Sequence, residues 1–238
     1  MNSQSSQVSI WTLGRSAESR PLEALAFAPR GRKPPGSPAE AAFPWVLCLG
    51  AVHGDEREGA WLMAEMRSRW LKDYPFEKVG AILWEQVNPD GLAACQRLNS
   101  RGVDLNRNLP TRDWSPDAKT PRYYPGPKPG SEPENQALMA LIGQAQPIAI
   151  LSAHSFNRYQ VNSNGRARAW AEKLAEVCAY PVTEDIGYPT PGCLGTYAGF
   201  DLDIPTITLE IEDGLPRDRV LGLHAPLVEA AIQFWENR

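Results

Sequence analysis

The sequence predicts an α/β fold, a layered arrangement of strands and helices. Three observations carry that expectation. Short apolar runs alternate with stretches of helical periodicity. The 238 residues match a common length for one domain. No internal repeat or long linker divides them, so residues 1–238 are expected to form a single domain. A hydrophobic fraction of 42% and a charged fraction of 22% are those of an ordinary globule whose core needs no disulfides.

Val8–Leu13 is the first expected strand. A Gly/Pro-rich loop from Arg30 to Pro44 leads into the apolar run Trp45–Gly50, a buried strand. Glu58 to Leu71 follows as a helix, with Leu62, Met63, Met66 and Trp70 along one side. Val79–Val87 is a further strand, closed by a turn at Asn88-Pro89-Asp90-Gly91. The stretch from Pro110 to Gly130 is proline-rich and lacks periodicity, and loops of that length are usually functional or mobile. Ser131-Glu132-Pro133-Glu134 has the pattern of a capping box opening a helix to about Gly143. Ile148–Ala153 and Pro205–Ile211 are expected strands, and Ala167–Val177 and Pro216–Trp235 are expected helices.

Composition narrows the function classes. The formal charge is −4 and no long Lys/Arg block offsets it, which argues against a general nucleic-acid binder. Cys48, Cys95, Cys178 and Cys193 show no C-x-x-C spacing and demand no oxidising compartment, and Cys48 sits in an apolar run as a core residue. Residues 1–7 have neither the positive nor the apolar region of a secretory leader. No apolar stretch approaches the ~18 residues of a membrane span. A cytoplasmic enzyme is expected.

The chain holds only three histidines. His53 follows the strand Trp45–Gly50 and precedes Glu56 by three residues, where an imidazole and a carboxylate can turn toward one point. His154 follows the run Ile148–Ala153, so its ring can converge from a neighbouring strand end, where α/β folds collect their ligands. Two His and one Glu, with a fourth position left to water, is a catalytic zinc arrangement. His224, in the last helix, is expected at the surface.

Further motifs stand in a telling order: Asn88-Pro89-Asp90-Gly91, Arg97, Asp104-Leu105-Asn106-Arg107-Asn108, Ser152-Ala153-His154-Ser155, and a late strand with Glu210. Together with His53-x-x-Glu56 and the opening Gly14-Arg15-Ser16 with Arg20-Pro21-Leu22, this series resembles the zinc metallocarboxypeptidase family over about Gly14 to Ile211. The resemblance implies one three-layer catalytic domain whose mixed, mostly parallel, twisted sheet is flanked by helices. It also implies one Zn²⁺ per chain, held by His53, Glu56 and His154. Glu210 would be the general base that deprotonates a zinc-activated water, with Glu212 the alternative on the same strand face. Arg97 would stabilise the oxyanion, and Asn106 and Arg107 would grip the terminal carboxylate of the substrate. Structural ion pairing of that pair with Asp104 or Asp90 is the other reading. Tyr188 resembles the family's mobile tyrosine.

Within the family the chain most resembles the murein peptide amidase branch, through Lys128–Glu134 and Gly187-Tyr188-x-Thr190-Pro191-Gly192. That resemblance implies hydrolysis of a γ-D-Glu–meso-diaminopimelate bond in peptides recycled from cell wall, with Asn162, Asn164, Thr190, Asp201 and Asp203 as possible partners of the second head group. One departure is Ser155-Phe156 after the third ligand, which is similar to ordinary carboxypeptidases. A general carboxypeptidase with Leu194 lining an apolar pocket is therefore one alternative, and a deacylase resembling aspartoacylase is another. An inactive peptide-binding module is the alternative from outside the enzymes.

Overall fold

The computed structural model describes residues 8–40 and 43–238; the amino-terminal segment read above for a leader lies outside them, as do two residues of the loop before the second apolar run. The chain opens as a hairpin of β1 (Val8–Arg15) and β2 (Pro21–Phe27). Then follow β3 (Trp45–Leu49), α1 (Arg57–Trp70), β4 (Gly80–Trp84), α2 (Pro89–Ala94) and α3 (Pro133–Ala145). The second half contains β5 (Ala149–Phe156), β6 (Gln160–Asn164), α4 (Arg168–Cys178), β7 (Val182–Thr183), β8 (Thr206–Glu212) and α5 (Arg217–Glu236). The strands form one mixed sheet in the order β1-β2-β4-β3-β5-β8-β6-β7. Its centre, β4-β3-β5-β8, is parallel, while β1, β2 and β6 join antiparallel.

Alternation along the strands builds a core on each face. Val46, Cys48, Ala81, Leu83, Leu151 and Ile207 pack under α1, α4 and α5. Trp45, Leu47, Leu49, Ile82 and Ile150 point the other way, toward α3 and the segment around Leu105 and Leu109. Both faces being covered is why the central strands are continuous apolar runs in the sequence. His154 shares the parity of Ile150, and in the parallel register of β5 and β8 it lies opposite Glu210.

The chain leaves β3 toward β4 on one side, and β5 adds on the other side. That reversal opens a crevice beyond the carboxyl ends of β3 and β5, the usual ligand position in such sheets. The loop of His53 and the strand residue His154 both reach it. Close approach is enforced there: a Cβ on Gly54 would lie 2.0 Å from the Gly91 carbonyl carbon, and one on Gly192 would lie 2.1 Å from the Arg107 carbonyl oxygen.

Four local expectations need correction. Asn88-Pro89-Asp90-Gly91 is a helix start, in which the Asn88 Oδ1 accepts from the Gly91 N–H at 2.9 Å and Pro89 opens α2. Ser131–Glu134 is not a capping box. Ser131 instead donates to the Glu132 carboxylate at 2.6 Å and accepts from Asn108, and Glu134 accepts from Asn99. His154 lies inside β5 rather than after it, because pairing with β8 extends the strand to Phe156. His224 is fully buried, its ring bonding the Val220 carbonyl at 2.9 Å and the Tyr180 hydroxyl at 3.0 Å. Burial lowers its pKa and favours the neutral ring. The strands β6 and β7 went unforeseen, since Gln160-Val161-Asn162-Ser163-Asn164 carries one apolar residue in five.

The far end of α5 is fastened by Glu236, whose buried carboxylate accepts from the N–H groups of Glu77, Lys78 and Val79 at 2.9–3.1 Å. Truncating it strands those donors near the base of β4. Glu236→Ala is expected to lower unfolding free energy by about 2–3 kcal/mol, measured by urea denaturation.

Candidate metal centre and active site

His53 and Glu56 leave β3 on a tight loop. Ala51 takes a left-handed φ of +50° there, and the chain then turns to start α1 immediately after Glu56. His154 arrives from β5. The His53 Nδ1 lies 2.7 Å from Glu56 Oε1, the His154 Nδ1 lies 2.8 Å from Glu56 Oε2, and the two Nδ1 atoms are 3.2 Å apart. All three side chains are buried, and their ligand atoms fall within 4.8 Å of one another. Among the described residues no other group of three such side chains is so close.

The opposite ring nitrogens explain this orientation. His53 Nε2 meets the Asp104 carboxylate at 3.1 Å, and His154 Nε2 meets the Ser152 hydroxyl at 3.1 Å. With the proton on Nε2 facing an acceptor, each ring turns a lone pair on Nδ1 inward. Two nitrogens and a carboxylate converging in a buried space fit Zn²⁺, a borderline-soft cation that takes N and O donors. The electrostatics agree. Burial lowers the His53 pKa, yet the carboxylates of Glu56 and Asp104 overcome both burial and Arg97 and raise it. Glu56 is held well below the usual carboxylate range: burial opposes this, but the charges of His53 and His154 win. Carboxylates that favour positive charge at this point also suit a cation there.

Arg97 is wedged beside the centre. Its Nε and one terminal nitrogen meet Asp104 at 3.0 Å, and the other terminal nitrogen meets Glu56 at 3.1 Å. Asp104 is completely buried, and its pKa is depressed: desolvation raises it, but His53, Arg97 and Arg107 prevail. It also accepts from the Asn106 N–H at 2.9 Å, capping the 3-10 turn Leu105–Arg107. That turn delivers the next two residues. Asn106 accepts from the Leu194 N–H at 2.8 Å through Oδ1, and its amide N–H₂ has no partner among the described residues. Arg107, only 4% exposed, bonds its neighbour's carbonyl and has no carboxylate partner among the described residues. The structural ion pair considered for Arg107 thus belongs to Arg97.

One cavity of about 220 Å³ collects His53, Glu56, Arg97, Asn106, Arg107, His154, Tyr188 and Glu210, so every site residue inferred from the motifs lines the same space. Glu210, buried at 7% exposure, has its pKa pushed up to about 7, by desolvation first and by the Glu56 charge, against the pull of His154, Arg97 and Arg107. A cation at the centre would lower it again. Glu212, one residue beyond the next, is exposed and does not line the cavity. Tyr188 is partly exposed at the rim, near Phe156 and Tyr123.

The cavity wall also includes Asn162, Asn164, Thr190, Thr196 and Thr208, together with the apolar Ile186, Pro189 and Phe200. Asp201 and Asp203 are elsewhere, paired with Arg112 and Arg166. Leu194 does not line the pocket; it is buried in the core against α3. Two contributors escaped the sequence reading. Tyr123 presents its ring 5.3 Å from the Arg97 guanidinium and 5.4 Å from that of Arg107. Ser152 orients His154, and its only sequence signal is its two-residue spacing on the same strand face.

A family model described as zinc carboxypeptidase matches residues 1–186. Murein peptide amidase A of Escherichia coli K12 is 37% identical over 175 residues, covering 69% of each chain. The crystal structure of murein-tripeptide amidase from Escherichia coli O157 aligns over 94% of this chain and 90% of its own, with 28% identity and a TM-score of 0.69. Carboxypeptidase A from Helicoverpa armigera, at 15% identity, reaches a TM-score of 0.77 over 96% of this chain and 67% of its own, a likeness of fold alone.

His154→Ala is expected to abolish stoichiometric zinc binding. Asp104→Asn, which removes the charge that supports His53 and Arg97 while keeping an oxygen that can cap the Asn106 turn, should weaken zinc roughly 10- to 100-fold. Competition with a chromogenic chelator measures both.

Proposed function

The chain belongs to the zinc carboxypeptidase family, and from that membership we propose that it cleaves the γ-D-Glu–meso-diaminopimelate bond of murein peptides, with Glu210 as base. One observation carries the substrate class. The cavity that Arg107 lines also carries the amides of Asn162 and Asn164 and the hydroxyls of Thr190, Thr196 and Thr208, beside Ile186, Pro189 and Phe200, whereas Leu194 is turned into the core. Diaminopimelate ends in a second amino-acid head group, a zwitterion that is costly to bury without hydrogen bonds, and Asn162, Asn164 and the threonines supply them. The murein peptide amidases among its relatives point the same way.

Zinc, when bound, polarises the scissile carbonyl and makes water acidic enough to ionise near neutral pH. The remaining work belongs to side chains. Arg107 and the Asn106 amide hold the terminal carboxylate of the substrate; a buried guanidinium with no carboxylate of its own is suited to that task. Arg97, fixed by Asp104, carries a cation beside the position where the oxyanion develops. Glu210 takes a proton from the attacking water and returns it to the leaving nitrogen, and its buried setting favours both halves of that transfer. Tyr188 closes the rim over the bound residue.

Zinc-loaded protein is expected to release diaminopimelate from L-Ala-γ-D-Glu-meso-diaminopimelate while leaving ordinary C-terminal L-amino-acid peptides and N-acyl amino acids intact, followed by mass spectrometry. Cleavage of ordinary peptides alone would replace the murein reading with a general carboxypeptidase. Inactivity on every substrate would favour a binding module. Glu210→Gln should reduce kcat roughly 10²- to 10⁴-fold with zinc content unchanged; near-normal turnover would remove Glu210 as the base.

A further inference from the structure

The space around the metal centre continues past it. A second cavity of about 200 Å³ shares Glu56, Arg97, Ser155, Phe156 and Tyr188 with the first, but Asn106, Arg107 and Glu210 do not line it. A peptide whose terminal carboxylate sits at Arg107 and whose scissile bond lies at the centre must send its acyl side into this second cavity. Arg122 and Tyr123 form part of its wall, carried there by the 3-10 turn Pro121–Tyr123 within the long loop 110–130.

Two guanidiniums face this second cavity, and they differ in what they have left to offer. Arg97 is buried and committed on both sides, to Asp104 and Glu56. Arg122 is about half exposed and among the described residues makes one polar contact, from a single terminal nitrogen to Asp55 Oδ2 at 3.2 Å. An exposed single-contact pair holds weakly and exchanges partners readily. Most N–H donors of Arg122 therefore remain available, at the mouth of the acyl-side cavity.

A γ-linked glutamyl residue differs from an ordinary peptide residue at this location. The carbonyl under attack is its side-chain carboxyl carbon, so two methylenes farther on, the α-carbon carries a free carboxylate. An α-linked residue has no anion there. We infer that Arg122 is a specificity-determining residue that binds this free α-carboxylate and thereby selects γ-linked substrates. The inference rests on the γ-linked substrate proposed above. Asp213, a solvated carboxylate lining the same cavity, adds a group of the opposite sign for a segment that carries an ammonium one residue farther on.

The test compares L-Ala-γ-D-Glu-meso-diaminopimelate with the same peptide amidated at the glutamyl α-carboxylate, using zinc-loaded protein. For the wild type, kcat/KM should favour the acid roughly 10- to 100-fold, the range of a charge-assisted hydrogen bond. In Arg122→Ala that ratio should fall to within about threefold of unity, chiefly through a higher KM for the acid, and Arg122→Lys should be intermediate. Circular dichroism and zinc content check that each variant is folded. A wild-type ratio near one, or a ratio that survives in Arg122→Ala, overturns the role of Arg122 while leaving the γ-linked substrate intact. Failure of the wild type to cleave either peptide overturns the γ-linked substrate, and this subsite with it.

Discussion

The carboxylate of Asp104 is the interaction on which the rest of the site depends. It is wholly buried, yet it meets the Nε2 of His53, the fork of Arg97 and the N–H of Asn106 at once. The first contact turns the Nδ1 of His53 toward the metal position. The second holds a cation beside that position, and the third caps the turn that presents Asn106 and Arg107. A lone buried carboxylate would be prohibitively costly. Here each oxygen has charged or N–H partners, which keeps the group ionised and makes its geometry hard to relax. The imidazole of His53, the guanidinium of Arg97 and the turn that carries Asn106 and Arg107 thus share a single anchor.

The sheet supplies the frame for that anchor. Parallel pairing of β5 with β8 sets His154 opposite Glu210, while the reversal of strand order beside β3 brings His53 and Glu56 alongside. The polar strand β6 pairs antiparallel with β8 and extends the same face with Asn162 and Asn164. A strand this polar would be a poor core element. Its amides find partners within the protein, Asn164 donating to Asn162 Oδ1 at 3.0 Å and Asn162 to the Thr183 hydroxyl at 3.2 Å, so polarity costs little there. The same logic accounts for the long loop 110–130, which has little core of its own yet sends Tyr123 between two guanidiniums and Arg122 to the cavity wall.

Much of this was legible in the residues. The central strands could be read because burial on both faces demands unbroken apolar runs such as Trp45–Leu49, and the main helices because their apolar sides recur at helical spacing. Motif order singled out His53, Glu56, His154, Arg97, Asn106, Arg107 and Glu210 as candidates, and one cavity gathers their side chains. The misreadings share a cause. Ser131–Glu134 satisfies a local pattern, but Asn99 and Asn108, distant in sequence, claim its side chains. His224 has a polar ring on a helix, and its burial depends on Tyr180 arriving from another element.

The sequence by itself determined the alternation of elements, the set of ligating and ionisable residues and the order in which they appear, because periodicity and short-range motifs are written in neighbouring positions. Only the tertiary structure decided which polar groups have partners and which are left free. Arg97 pairs with both Asp104 and Glu56, Arg107 is buried with no carboxylate partner among the described residues, Leu194 faces the core, and Asp201 and Asp203 pair with Arg112 and Arg166 rather than lining the cavity. The physical reason is that a side chain's capacity to bind a ligand is what remains after its neighbours have been satisfied, and those neighbours are brought together by strand order and register across dozens of residues.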